Sequence, residues 1–129
     1  MGKKIKVSID IDGTLNSSNT SVSFFQIMTH LLLPEVHITI LTNREPGTEE
    51  KIAQELAGMN ILYDEIVITP QKQEYIKRNH IKAVFENEDE NFQDLGPDIL
   101  VFKIREKGNF NYMSGRWYGS QDTVEMIDG

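Results

Sequence analysis

The chain opens with a strict alternation of apolar and polar residues, because isoleucine or valine occupies positions 5, 7, 9 and 11 and polar residues lie between them. A period of two is typical of a β-strand with one buried face. A second apolar pattern runs to Leu33 with helical spacing and stops at Pro34, which cannot continue a helix. Ser21 or Ser23 is the expected cap at the start of this helix.

The pattern up to residue 102 continues as apolar strands that alternate with helices. It predicts strands at 36–42, 66–68, 83–85 and 99–102, helices at 49–57 and 71–79, and a short helix at 92–95. Strand–helix–strand units favour parallel pairs joined by right-handed crossovers. The sequence therefore predicts an α/β fold, a single Rossmann-like three-layer domain over residues 1–129 with a mostly parallel sheet of about five strands.

Length, charge and cysteine content limit the classes of function that this protein can have. A chain of 129 residues has the usual size of one domain. Its net charge of −7 repels nucleic acid and anionic membranes, so we expect neither as a partner, and an anionic ligand needs a local positive site. The absence of cysteine excludes disulfides and thiol chemistry. Asp10 and Asp12 interrupt the first apolar run, which therefore does not resemble a signal peptide, and the expected location is cytoplasmic.

Polar residues follow three of the predicted strands. The pairs are Asp10 with Asp12, Thr42 with Asn43, and Glu86 with Asn87. In open parallel sheets ligands bind at the carboxyl ends of the strands, so these pairs are expected at one edge. Two neighbouring carboxylates repel each other, and a divalent cation removes that repulsion; oxygen ligands of this kind suit Mg²⁺. The alternative interpretation of Asp12-Gly13 is a plain surface turn.

The string Asp-Ile-Asp-Gly-Thr-Leu from Asp10 to Leu15 resembles the first motif of the haloacid dehalogenase superfamily of phosphotransferases. The resemblance implies that Asp10 is the nucleophile and forms an aspartyl-phosphate. It also implies that Asp12 is the general acid and base, with its backbone carbonyl on the metal. Magnesium would then bridge Asp10 and the substrate phosphate.

The end of the second predicted strand resembles the second motif of that superfamily, a threonine or serine that closes an apolar strand. The resemblance implies that the Thr42 hydroxyl donates a hydrogen bond to a phosphoryl oxygen. Asn43 and Arg44 are adjacent donors and, with Gly13, are the expected substrate-binding residues. The alternative for Thr42 is a turn residue ahead of a helix.

The third motif is a lysine that offsets the charge of the phosphate and the nucleophile. Lys72, Lys77 and Lys82 all compete for this role. We favour Lys72 because it begins a helix that directly follows a strand, as the resemblance requires. Lys77 lies deeper in that helix, where a lysine is by default solvated.

The fourth motif of the superfamily supplies acids that hold the metal after an apolar strand. Here Glu86 takes the first acidic position and Asn87 replaces the second, which departs from the motif. The expected metal ligands are Asp10, Asp12 and Glu86, with Asp89 as an alternative to Glu86. A solvated acidic loop is the other interpretation of this segment.

The spans between the motifs are too short for the cap domain that superfamily members often insert, so the resemblance is to the capless type. An open site suits a bulky phosphorylated small molecule, or closure by another subunit or by residues 103–129. That last segment is predicted as a hairpin, a flap or a tail that covers the sheet edge. His30, His37 and His80 show no zinc-binding pattern.

The sequence therefore predicts a magnesium-dependent phosphomonoester hydrolase of unknown substrate. The alternative is a catalytically weak or inactive domain of the same fold that binds a metal or a partner. A response-regulator receiver domain is disfavoured, because it carries its phospho-acceptor aspartate on the third strand.

Overall fold

The computed structural model describes residues 4–104 and 110–117 and contains a five-stranded sheet with helices on both faces. The strands are β1 Ile5–Ile9, β2 Val36–Thr42, β3 Glu65–Ile68, β4 Ala83–Glu86 and β5 Leu100–Lys103. The helices are α1 Asn19–Leu32, α2 Glu49–Gly58 and α3 Lys72–Arg78. A small antiparallel hairpin follows, made of β6 Phe110–Asn111 and β7 Arg116–Trp117.

The five strands lie in the order β3-β2-β1-β4-β5, and every pairing between them is parallel. The predicted α/β class and the number of strands are confirmed, and the sheet is entirely parallel rather than mostly so. Parallel strands place all their carboxyl ends at one edge. The residues that follow β1, β2 and β4 therefore share that edge.

Neighbouring residues of one strand face opposite layers of the core. Ile40 packs with α1 and α2, whereas Leu41 packs with Ile76 of α3. Phe85 and Val84 divide between the two layers in the same way. Both faces of the central strands are therefore buried, including the polar positions Ser8 of β1 and Thr39 of β2, so the period of two in β1 does not mark an exposed face.

Helix α1 begins earlier than the sequence predicted. Ser18 is its N-cap: the Ser18 hydroxyl accepts from the Ser21 amide at 3.0 Å, and the Ser21 hydroxyl accepts from the Ser18 amide at 2.9 Å. This is a capping box, in which two otherwise unpaired amides are satisfied reciprocally. The expectation that Ser21 or Ser23 is the cap was wrong, because the polar loop offers several residues of similar capping strength.

Most other element boundaries differ from the prediction by one residue, and two elements differ more. The helix predicted at 92–95 is absent, and a single 3₁₀ turn occupies Asp89–Asn91 instead. Strand β1 ends at Ile9 rather than Ile11, although the Asp10 amide still donates to the Phe85 carbonyl at 3.0 Å. The chain then leaves the sheet in a wide turn over Ile11–Leu15. This turn carries Asp12, Gly13 and Thr14 of the first motif.

Only α1 lies between the Ile11–Leu15 turn and β2, and only α2 and β3 lie between β2 and α3, so neither span holds a cap domain. Of the segment predicted as hairpin, flap or tail, residues 110–117 form the hairpin, while 105–109 and 118–129 lie outside the described residues. Within the described part of the chain, no helix combines the length and the apolarity needed to cross a bilayer.

Candidate active site

Two buried carboxylates lie side by side at the carboxyl edge of the sheet. Ile9 of β1 is in register with Phe85 of β4, so Asp10 and Glu86, the next residues of each chain segment, are neighbours. Asp10 is 6% exposed and Glu86 is 2% exposed. Removing two negative charges from water is costly unless both are paired. The sequence analysis predicted that these two residues lie at the same edge of the sheet, and they do.

Lys72 provides the positive charge for this pair. Its Nζ lies 2.5 Å from Asp10 Oδ1 and 3.1 Å from Glu86 Oε1, and the side chain is 3% exposed. The other two candidate lysines lie elsewhere: Lys77 is exposed, and Lys82 pairs with Asp98 at 2.8 Å. Lys72 reaches the carboxylates because it opens α3, whose first turn begins just beyond the end of β3.

The side-chain amide of Asn87 contacts the other oxygen of each of the two carboxylates. We assign its nitrogen to the side facing four oxygens, because the nitrogen then faces acceptors and the amide oxygen faces donors. The nitrogen then donates to Asp10 Oδ2 at 2.9 Å and Glu86 Oε2 at 3.1 Å, and reaches Thr14 Oγ1 and the Asp12 carbonyl at 3.2 Å each. The sequence analysis treated Asn87 only as a departure from an acidic motif and missed this contact set.

Thr14 is the second residue that the sequence analysis left out of the site. It is fully buried, and its hydroxyl donates to Asp10 Oδ2 at 3.1 Å. The wide turn at Ile11–Leu15 brings this hydroxyl back toward the carboxylate. The position of Thr14 in the Asp-Gly-Thr string was the sequence signal that could have identified it as a site residue.

Gly13 allows the Ile11–Leu15 turn to approach the Asn87 side chain closely. Its φ is +81°, a conformation that other residues adopt only with strain, and a β-carbon there would lie 2.9 Å from Asn87 Cγ. Both the positive φ and the close approach to Asn87 therefore favour a glycine at this position. Thr42, at the end of β2, is 1% exposed, and Asn43 beside it is exposed.

Asp12 is bound to a second positive group at the mouth of the site. Arg44 donates from Nε to Asp12 Oδ2 at 2.9 Å and from Nη2 to Oδ1 at 2.8 Å. The same guanidinium donates to both carboxylate oxygens of Glu55, at 2.7 and 2.9 Å. Glu55 had no sequence signal, since it lies on α2 among other acidic residues. Arg44 is thus committed to two carboxylates in this arrangement.

Burial and charge shift the pKa values at this edge in different directions. Burial, helped by the nearby Glu86, raises the pKa of Asp10 from 3.8 to about 7, despite the opposing effect of Lys72. Burial disfavours the charged Lys72, but Asp10 and Glu86 outweigh it and hold its pKa above the ordinary value. Hydrogen bonds from Arg44 hold the pKa of Asp12 below its usual range.

The acidic segment after β4 turns away from these carboxylates. Asp89, the alternative metal ligand, forms an ion pair with Lys103 of β5, and its side chain is 58% exposed. Glu86 therefore takes the position beside Asp10. The interpretation of this segment as a solvated loop describes Asp89 and Glu90 but not Glu86.

The oxygen atoms at this edge are of the kind that binds a hard cation, although few of them are charged. Within residues 4–104 and 110–117, no three His, Cys, Asp or Glu side chains group as a metal site. The oxygens that gather around the Asn87 side chain are instead mixed, with carboxylates from Asp10 and Glu86 and the Asp12 carbonyl. Magnesium is commonly held by one or two carboxylates and keeps several waters, so this all-oxygen set suits it.

These features define a class: a parallel α/β protein with two lysine-bridged buried carboxylates at the carboxyl edge of its sheet. No family model and no curated protein matches the chain.

The raised pKa of Asp10 predicts how stability depends on pH. Between pH 3.8 and about 7 the folded protein binds a proton at Asp10 that the unfolded chain releases, so the free energy of unfolding falls as pH rises through this window. We expect Asp10→Asn to be more stable than the wild type at pH 8 by on the order of 2 kcal/mol, with the difference vanishing near pH 5. Urea unfolding with EDTA across this range measures it.

Asp12→Asn is the matched control, because the lowered pKa of Asp12 has the opposite sign. Its charge stabilises the fold above the unfolded-state pKa and loses that contribution in acid. Asp12→Asn should therefore be less stable than the wild type at pH 8. An Asp10→Asn protein that is equally destabilised at pH 5 and pH 8 would contradict the assignment.

Proposed function

We propose that this protein is a magnesium-dependent phosphomonoester hydrolase that works through an aspartyl-phosphate on Asp10. The supporting observation is the contact of the buried Asp10 with both Lys72 and Thr14 at the ligand-binding edge of the sheet. It joins an anionic oxygen nucleophile, an ammonium group and a hydroxyl donor at one point. These are the groups that phosphoryl transfer requires. The resemblance of the first motif to capless haloacid dehalogenases supports the same reaction.

The reaction would proceed in two displacements at phosphorus. An Asp10 carboxylate oxygen attacks phosphorus, the bond to the leaving oxygen breaks, and Asp12 gives that oxygen a proton. Water then attacks the phosphorus of the aspartyl-phosphate, Asp12 takes its proton, and inorganic phosphate leaves with Asp10 restored. Lys72 offsets the negative charge of the nucleophile and the phosphoryl group, and the Thr42 hydroxyl is a donor to a phosphoryl oxygen.

A magnesium ion bound by Asp10, Glu86, the Asp12 carbonyl and the Asn87 amide oxygen would neutralise part of the repulsion between the carboxylate and the phosphate. The cation matters because the cluster is negative without it. Asp10, Glu86 and Lys72 sum to one negative charge when both acids are ionised. A phosphate dianion would approach this cluster unfavourably.

Asp12 has to change partners during this cycle. Bound to Arg44, it is an anion with a lowered pKa, which suits the second step, where it accepts a proton from water. In the first step it has to carry a proton, and the Arg44 contact opposes that state. Arg44 and Asn43, at the open mouth, are the donors we assign to the incoming phosphate, which then competes with Asp12 for the guanidinium.

The substrate is expected to be a phosphorylated small molecule that does not need a cap to enclose it. The spans between the motifs contain only α1, α2 and β3, so within the described residues no cap encloses the site, which leaves room for a bulky ester. Closure by a second copy of the chain is consistent with this openness. Nucleic acid and anionic membranes remain disfavoured as partners by the net charge of −7.

Phosphate release from p-nitrophenyl phosphate and from a panel of phosphorylated metabolites, with and without Mg²⁺, tests the proposal. We expect Asp10→Asn to lower kcat by at least about a thousandfold, because no nucleophile remains. The matched control is Asp98→Asn, an exposed aspartate that pairs with Lys82 away from the site. Full activity of the Asp10→Asn protein would refute the nucleophile assignment.

A second candidate is a non-catalytic module of the same fold that binds a metal or a partner. The observation that favours it is the complete pairing of the cluster, since Lys72 and Asn87 already satisfy Asp10 and Glu86, and Arg44 satisfies Asp12. Binding of Mg²⁺ in calorimetry, without phosphate release from any ester in the panel, would support this candidate over the hydrolase.

A further inference from the structure

Asp10 and Glu86 are bridged twice, through different oxygen atoms. Lys72 joins Asp10 Oδ1 to Glu86 Oε1, and the amide of Asn87 joins Asp10 Oδ2 to Glu86 Oε2. We call these four residues the carboxylate ring. Each carboxylate therefore has a donor on both oxygens from protein groups alone. The ring explains how two buried acids are tolerated in the fold without a cation.

The atom of Asn87 that faces the ring lies within 2.9–3.2 Å of oxygens from Asp10, Glu86, Asp12 and Thr14. An amide nitrogen in that position donates to them. An amide oxygen in the same position accepts from the Thr14 hydroxyl but faces the acceptor oxygens of Asp10, Glu86 and Asp12, so a cation among the oxygens favours it. Oxygen ligands about 2.1 Å from an octahedral Mg²⁺ are about 3.0 Å from each other, which matches these separations.

A carboxamide can serve both situations, because half a turn about the Cβ–Cγ bond exchanges its nitrogen and oxygen while the volume stays the same. Aspartate at this position could serve only one. Without a cation it would place a third carboxylate beside Asp10 and Glu86, with Lys72 as the only positive charge within the ring. The departure of Asn87 from the acidic motif thus has a physical consequence.

We propose that Asn87 is a two-state residue, which turns its nitrogen to the carboxylate ring in the metal-free protein and its oxygen to Mg²⁺ when the cation binds. The site keeps its geometry in both states, and the cation is bound more weakly than aspartate would bind it. This inference depends on the proposed metal site, but its tests do not use phosphatase activity.

The first test compares the wild type with Asn87→Asp by thermal unfolding and by calorimetric titration with Mg²⁺. In EDTA we expect Asn87→Asp to have a Tm lower by at least about 4 °C, because the added negative charge lies beside Asp10 and Glu86. With Mg²⁺ its Tm should rise more than that of the wild type, and its Kd for Mg²⁺ should be about tenfold lower.

Gln93→Glu is the matched control for the added charge. Gln93 is exposed and lies in the same segment after β4, so the variant carries the same net charge without placing it in the carboxylate ring. It should resemble the wild type in EDTA and in Mg²⁺ affinity. Equal Tm and equal Mg²⁺ affinity for the wild type and Asn87→Asp would overturn the proposal.

The second test observes the amide directly by NMR, with the Asn87 side-chain signals identified by their absence in Asn87→Asp. In EDTA the NH₂ protons should exchange slowly with solvent, and on Mg²⁺ addition they should shift and lose that protection. Asn79 is the internal reference, since its Nδ2 donates to the Tyr75 carbonyl at 2.9 Å, outside the carboxylate ring. Asn87 signals that stay unchanged while calorimetry records Mg²⁺ binding would overturn the proposal.

Two negative results separate this inference from the proposed reaction. If neither protein binds Mg²⁺, the two-state role of Asn87 is refuted, whatever the phosphatase assay shows. If both bind Mg²⁺ with the expected difference but no ester is hydrolysed, the role of Asn87 stands and the hydrolase proposal fails.

Discussion

Lys72→Met should lower the free energy of unfolding at pH 8 by about 3–5 kcal/mol, because it leaves two buried carboxylates without a positive partner. Asp10 and Glu86 are 6% and 2% exposed, so water cannot replace the lost ammonium. Part of the loss should be recovered near pH 5, where Asp10, with its pKa raised further, binds a proton. Urea unfolding with EDTA at both pH values measures the effect. Hydrolysis, under the proposed mechanism, should be lost as well.

Lys77→Met is the matched control on the same helix. Lys77 is exposed, and substitution at such a position usually changes stability by less than about 0.5 kcal/mol. A Lys72→Met protein as stable as Lys77→Met at pH 8 would show that the carboxylates do not depend on the ammonium. A loss of equal size at pH 5 and pH 8 would show that the lost interaction is packing rather than charge.

Gly13→Ala should cost about 1–3 kcal/mol from backbone strain and more from the contact that its β-carbon would make. The φ of +81° supplies the strain, and the distance of 2.9 Å to Asn87 Cγ supplies the overlap. Relief of that overlap has to move Asn87 away from Asp10 and Glu86. We therefore expect both a lower free energy of unfolding and a changed response to Mg²⁺.

Gly47→Ala separates strain from overlap. Gly47 has a φ of +88°, but a β-carbon at this position would meet no other atom within 4 Å, so the variant carries the backbone cost alone. The excess loss in Gly13→Ala over Gly47→Ala, measured by chemical denaturation, reports the Asn87 contact. Equal losses in the two variants, with an unchanged Mg²⁺ response, would contradict a close approach between the turn and Asn87.

The roles of Asp12, Arg44 and Glu55 follow from one guanidinium with two carboxylate partners. Since Arg44 is bidentate to each, its orientation depends on both acids. The Asp12 side chain is 60% exposed, so the pair itself adds little stability. Its importance, under the proposed function, lies in the protonation state and position of Asp12 at the mouth of the site.

The sequence by itself determined the layer architecture and the carboxyl edge. Period-two and helical patterns are local, and they predicted every strand of the parallel sheet and the three main helices to within a few residues. The Asp10-to-Leu15 string identified the candidate reacting edge for the same reason, since its strand, aspartates and glycine are adjacent in the chain.

Tertiary structure decided which side chains meet across that edge. Lys72 is 62 residues from Asp10. The sequence favoured it as the first residue of a helix after a strand, but its contact with Asp10 depends on the strand order β3-β2-β1-β4 and the placement of α3, while Lys82 pairs with Asp98. Asn87 and Glu55 gained their contacts in the same way, through packing that no local pattern encodes. Hydrogen bonds and ion pairs act over about 3 Å, so their partners are set by the packing of distant segments rather than by the spacing of residues along the chain.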